Sequence, residues 1–115
     1  MIFFKHEYSD DAKSVAKFTA LDNDIKSGEC TLVMNGIYAE ITELSFDKNY
    51  PYVVEGLIKS AFNLAANHNC YIGRCSIKDI RIFLDRMNLV CTDGMYENDI
   101  PSILMGSCKS CQNNQ

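Results

Sequence analysis

The chain has 115 residues, 47% hydrophobic and 23% charged, with a net charge of −4. That describes a single domain with one core, and its singly scattered Lys and Arg exclude the clustered cations that hold duplex DNA or long RNA. Its apolar runs are too short to span a membrane, and Met1-Ile2-Phe3-Phe4-Lys5-His6 has neither a basic leader nor a cleavage site, which points to the cytoplasm.

A short strand is expected over Ile2 to Lys5. Ser9-Asp10-Asp11 has room to cap one helical turn and no more. From Ser14 to Leu21, Val15, Lys17 and Thr19 alternate with Ala16, Phe18 and Ala20, the period of a half-buried strand. Asp22-Asn23-Asp24 marks a turn. The next strand, Gly28 to Met34, sets Cys30, Leu32 and Met34 on one face. Asn35-Gly36 is then a hairpin signal of the type I′ kind, with positive φ at both residues.

The following strand, Tyr38 to Phe46, changes phase. Its apolar positions run Ile37, Ala39, Ile41, then Leu44 and Phe46, so one residue too many sits near Thr42-Glu43. A side-chain period of two makes such a slip the mark of a β-bulge. A helix is expected from about Pro51 to Asn67, with Val54, Leu57, Ile58, Ala61 and Ala65 inward and Glu55, Lys59 and Asn63 outward. Pro51 suits a first turn, and Asn67-His68-Asn69 offers a stop.

After a strand over Cys70 to Cys75, Ser76 and Asp79 have the spacing of a capping box. The second helix turns Ile77, Ile80, Phe83, Leu84 and Met87 inward. Leu89 to Thr92 and Met95 to Glu97 flank Asp93-Gly94 as a second hairpin. Asp99-Ile100-Pro101 starts a short helical turn that Gly106 ends. Residues 1–106 thus form one domain, and 107–115 read as a polar, flexible tail.

The order of three strands, a bulged strand, helix, strand, helix and strand resembles the GNAT superfamily of acetyl-CoA-dependent N-acyltransferases. Three stretches carry the resemblance: Lys26-Ser27-Gly28-Glu29-Cys30-Thr31-Leu32, Tyr38-Ala39-Glu40-Ile41-Thr42-Glu43-Leu44, and Gly56 to Ala65. It spans about Val15 to Tyr96. It implies an α/β (α+β) fold, with a mixed but mainly antiparallel sheet, a central bulged strand and two main helices.

The resemblance also implies a site, and there the sequence departs from the family. The family's Arg/Gln-x-x-Gly-x-Gly/Ala turn lets backbone N–H groups reach the coenzyme A pyrophosphate at a helix N-terminus. Aligned on Leu57-Ile58, this chain has Asn49 near the arginine and Tyr50, Tyr52 and Val54 at the glycines. Leu84 stands where the family often has its general-acid tyrosine. No counterpart of the family's first two helices fits between Lys5 and Ser14. The expectation is therefore a degenerate, non-catalytic binding or assembly module, with no catalytic residue, no cofactor and no metal. Its partner is an unassigned protein or small molecule, and a homodimer would cover exposed sheet edges.

In the alternative reading, an acyltransferase with an atypical phosphate loop, Leu44, Ser45, Phe46, Val53 and Val54 would bind acetyl-CoA. Glu40 or Glu43, beside the bulge, would then be candidate bases, although solvated strand carboxylates are commoner. A third reading takes Cys108-Lys109-Ser110-Cys111 as half of a shared zinc site or as a redox pair. Cys30, Cys70, Cys75 and Cys91 fall in or beside apolar strand patterns, where free cysteine acts as a small hydrophobe. His6 and His68 are the only histidines. His68 suits the end of a helix, and Tyr50 and Tyr52 suit a cover over the sheet end.

Overall fold

The computed structural model describes residues 1–106; Cys108 and Cys111 lie outside the described residues. Seven strands form one sheet in the order β1-β2-β3-β4-β5-β7-β6. They are β1 (Ile2–Tyr8), β2 (Val15–Asp22), β3 (Ile25–Asn35), β4 (Tyr38–Phe46), β5 (Ile72–Cys75), β6 (Val90–Thr92) and β7 (Met95–Asp99). The helices are α1 (Val53–Asn67), α2 (Arg81–Arg86) and α3 (Ile100–Leu104), with a 3-10 turn at Lys78–Ile80 leading into α2. All pairings are antiparallel except β4 with β5. This is the mixed, mainly antiparallel α/β architecture expected.

Alternation decides which side chains form the core. Ala16, Phe18 and Ala20 of β2, Cys30, Leu32 and Met34 of β3, and Ala39 and Ile41 of β4 are all buried on one face. α1 lies on that face with Val53, Val54, Leu57, Ile58, Ala61, Phe62 and Ala65 buried, the stripe expected plus Val53 and Phe62. A Cβ at Gly28 would meet Leu57 and Val53, and one at Gly73 would meet Ile103 of α3 and Phe62. α2 joins the same side: Asn88, just past it, bonds the Ser102 carbonyl of α3, and the Phe83 ring stands against Phe46. Among the described residues all three helices therefore lie on one face.

The opposite face is polar, as an antiparallel sheet open to water permits. Lys17 and Lys26 pair with Glu29 at 3.2 and 2.8 Å, Thr31 bonds Glu43, and Arg74 pairs with Glu97 while lying 3.9 Å over the Tyr38 ring.

The register shift in β4 falls where the phase change placed it. Thr31 faces Glu43 and Leu32 faces Ile41, so Thr42 has no opposite number. Leu44 and Phe46 then pack against the core with Ile41. A second shift leaves Ser27 unopposed, since Ala20 faces Gly28 and Leu21 faces Lys26. Buried Ser27 turns its hydroxyl to the Ala20 carbonyl.

Several expectations need correction. β1 runs three residues past Lys5, because an edge strand is held by backbone bonds to β2 whatever its side chains. The β3–β4 turn is centred on Gly36 and Ile37, with positive φ at Gly36 and not at Asn35. Glycine at the first central position is the type II′ pattern, and it leaves Ile37 52% exposed in the turn rather than inward. No helical turn forms at Ser9. Instead Asp10 accepts from the Ser14 and Val15 N–H groups at 2.9 and 3.0 Å and from the Ser14 hydroxyl, folding the link back on itself. Pro51 precedes α1, whose N-cap is Tyr52. The 3-10 turn starts from Ile77 without a side-chain cap, so Ser76 and Asp79 form no capping box. β5 begins at Ile72, not Cys70. Asn69 and Asp93-Gly94 do adopt the positive φ that their stop and hairpin require.

Candidate functional site

β4 and β5 pair only from Tyr38↔Ile72 to Ile41↔Cys75. Beyond that point β5 ends, while β4 continues through Thr42 to Phe46 with β3 on its other side. The resulting splay lies beside the start of α1 and leaves backbone groups of β4 with which an extended ligand could pair. It brings together Leu44, Ser45, Phe46, Val53 and Val54, with β4 ending one short connection before α1.

Their side chains are not equally available. Val53 and Val54 are completely buried, so neither presents a side chain to a ligand, and Val54 cannot obstruct the approach to the helix as its alignment with a glycine implied. Aligning on sequence fixes a position along the helix, whereas burial is decided by which face that position occupies. Leu44 and Phe46 are half-buried and Ser45 is exposed.

The helix start is satisfied from within. The first N–H groups of a helix are free donors that draw anions. Here the Val53 N–H donates to the Tyr50 carbonyl and the Val54 N–H to the Pro51 carbonyl, both at 3.2 Å. The connection closes on itself as well: the Asp47 N–H donates to the Ser27 carbonyl, the Tyr50 N–H to the Asp47 carbonyl, and the Asn49 N–H to the Asp47 carboxylate. Tyr50 is half-buried, its ring edge-on to Tyr52 at 5.9 Å, and the exposed Tyr52 donates its hydroxyl to Asp22 at 3.0 Å.

α2 closes the splay from the other side. The Phe83 ring stands edge-on to Phe46 at 6.3 Å, and the Arg86 guanidinium lies 5.1 Å from the Phe83 ring. Arg86 also forms an ion pair with Glu55, in the first turn of α1. A carboxylate there suits the helix dipole, and the Arg86 guanidinium neutralises it. Neither Phe83, Arg86 nor Glu55 stood out in the sequence, because an inward aromatic and an outward charge pair are ordinary helix chemistry. Only the placement of α2 gives them a common role.

Of the acid–base candidates, Glu43 stands on the splayed segment itself, where Leu44 and Ser45 line a concavity with it, and the others lie away from the splay. Glu43 lies on the polar face, accepting from the Thr31 hydroxyl at 3.3 Å and lining that concavity, of about 230 Å³, with Lys17 and Glu29. Lys26 and Lys17 hold the Glu29 carboxyl below the usual range. Glu40 is half-buried on that face. Leu84 is fully buried. Both histidines gather around Tyr8: its hydroxyl is 2.8 Å from His68 Nε2, and the His6 ring lies 5.7 Å away. His68 caps the C-terminus of a 15-residue helix, about 22 Å along its axis from the splay.

Burial pushes the Cys30 thiol up to about 12 and the Cys75 thiol to about 11, so both stay protonated and inert. Among the described residues no group of three or more His, Cys, Asp or Glu side chains could hold a metal ion, and no helix is long and apolar enough to cross a membrane.

The residues at the helix start do not fit a coenzyme A pyrophosphate: two of the donors it would use are engaged by the chain's own carbonyls, and no glycine lies between Asp47 and Val54 to open the approach.

The sequence matches no protein-family model and no curated protein. The fold does have counterparts among solved structures. An acetyltransferase of the GNAT family from Staphylococcus aureus superposes with a TM-score of 0.66 at 12% identity, over 76% of this chain and 68% of that one. A probable acetyltransferase from Staphylococcus epidermidis gives 0.66 at 16% identity, over 79% and 71%. PaiA N-acetyltransferase from Thermoplasma acidophilum, solved in complex with coenzyme A, gives 0.63 at 14% identity, over 75% and 61%.

Proposed function

We propose that this chain, whose fold is GNAT-like, is a non-catalytic binding or assembly module that does not use acyl-CoA. The observation that carries the reading is the engagement of the Val53 and Val54 N–H groups by the Tyr50 and Pro51 carbonyls. Binding a diphosphate at those N–H groups would require breaking these bonds. Charge-assisted hydrogen bonds contribute roughly 1.5–3 kcal/mol each, so losing these two weakens binding by powers of ten. The Phe46–Phe83 contact supports the same reading, since a pantetheine arm would have to part these rings.

The acyltransferase alternative keeps one point in its favour: among the described residues β4 from Thr42 to Phe46 has no strand on its β5 side, which leaves backbone groups for an extended ligand. Isothermal titration calorimetry separates the two. The module reading expects no heat and no thermal shift from acetyl-CoA at micromolar concentrations. A low-micromolar dissociation constant overturns it and restores the enzyme.

A further inference from the structure

We infer that a second copy of this chain pairs antiparallel with the free edge of β1, about a two-fold axis at His6. This inference stands whether or not acyl-CoA binds. Among the described residues β1 is the outermost strand of the sheet, with β2 on one side and no strand on the other. It is seven residues long, contains no proline, and exposes Phe3 by 60%. Ile2, Phe3, Phe4 and Tyr8 are strong strand formers, and such an edge is a template for another strand unless something guards it. The charges that would guard it, Lys5 and Glu7, are of opposite sign and two residues apart, so a second copy can match them.

The outward-facing groups follow from the ladder. The Met1 carbonyl accepts from the Asn23 N–H, and the Ser9 N–H donates to the Val15 carbonyl, at 3.3 and 2.8 Å. Between them the register with β2 is unbroken. Odd-numbered residues therefore bond to β2, and alternation turns the N–H and C=O of Ile2, Phe4, His6 and Tyr8 outward. In a two-fold antiparallel pair, opposed residues share a face, so their numbers sum to an even value.

Charge then selects the register. Centring on Lys5 sets two lysines face to face. Centring on Phe4 places Lys5 opposite Phe3. Centring on His6 places Lys5 opposite Glu7 of the second copy, twice by symmetry. Those positions are the non-hydrogen-bonded ones, where side chains approach closest. Phe4 then faces Tyr8 across the hydrogen-bonded positions, and the pairing forms about six backbone bonds. Lys5 and Glu7 are both exposed, and neither forms an ion pair with another described residue.

The test uses the full chain and two charge reversals. Sedimentation velocity at about 0.1 mM, a concentration suited to a small interface, is expected to give twice the 13.0 kDa chain mass. Lys5→Glu and Glu7→Lys should each weaken self-association by more than about tenfold, because like charges then oppose each other across the axis. Mixing the two variants should restore a heterodimer, since an acidic strand meets a basic one at every charged position. Circular dichroism and melting curves check that both variants fold. A wild-type monomer at that concentration, single variants that dimerise as the wild type does, or a mixture that stays monomeric would each overturn the pairing.

Discussion

Replacing Gly73 by alanine tests how tightly β5 is held against the helical layer. A Cβ there would lie 2.7 Å from Ile103 Cδ1 and 2.8 Å from Phe62 Cε1. Ordinary carbon contacts need about 3.5–4.0 Å, so the neighbours must retreat by roughly 1 Å. Neither can do so freely, for Ile103 and Phe62 are both fully buried. Overpacking of this kind costs about 1–3 kcal/mol. Replacing a strand glycine returns about 0.5–1 kcal/mol of backbone entropy. The expected net loss is about 0.5–2 kcal/mol, or about 4 °C of Tm for each kcal/mol in a domain of this size. Urea denaturation should show a lower midpoint at unchanged slope. Ile103→Val, which ordinarily costs about 0.5–1.5 kcal/mol, should cost markedly less in the Gly73→Ala background, because it removes a methyl from the crowded spot. A Gly73→Ala protein as stable as the wild type, or additive effects in the double variant, would refute the packing argument.

The link between β1 and β2 should carry an acid-sensitive contribution. The Ser14 hydroxyl, with the Val15 and Ser14 N–H groups, holds Asp10 below its ordinary value of 3.8. A depressed carboxyl stabilises above that value and loses its contribution as pH falls through the folded one, so Asp10→Asn should lower Tm at neutral pH and differ less from wild type below about pH 3.8. A Tm gap that persists unchanged into acid would contradict the assignment. In native protein, iodoacetamide should label Cys91, which is exposed, and spare the buried Cys30 and Cys75. Peptide mapping that finds Cys30 or Cys75 modified without denaturant would show that the core opens there.

The fold was largely legible because apolar parity survives in the strands. The step from Ile41 to Leu44 located the β4 shift, since both neighbours are large and inward. The equivalent shift at Ser27 was invisible, because Ser27 and Gly28 are small and carry no parity signal. Ile37 misled for a different reason. Moving the turn by one residue along Asn35-Gly36-Ile37 changes which residue leaves the sheet, and composition alone does not distinguish type I′ from type II′ there. At the splay, the absence of glycine between Asp47 and Val54 was plain, but of the three residues aligned with the glycines, Tyr50, Tyr52 and Val54, the last is buried in the core. What occupies the donors is backbone, the Tyr50 and Pro51 carbonyls, and side-chain identity does not encode that directly. The closure by Phe83 and Arg86 depends on where a second helix docks, which is a tertiary fact.

The claim that the helix start is closed to a diphosphate can be read at the atoms concerned. In a 15N-labelled sample, the Val53 and Val54 amides should exchange slowly with deuterium, and their resonances, with those of Leu44 to Phe46, should hold their positions as coenzyme A is added to millimolar concentration. Fast exchange at Val53 and Val54 in the free protein, followed by saturable shifts of these resonances on adding coenzyme A, would contradict the account.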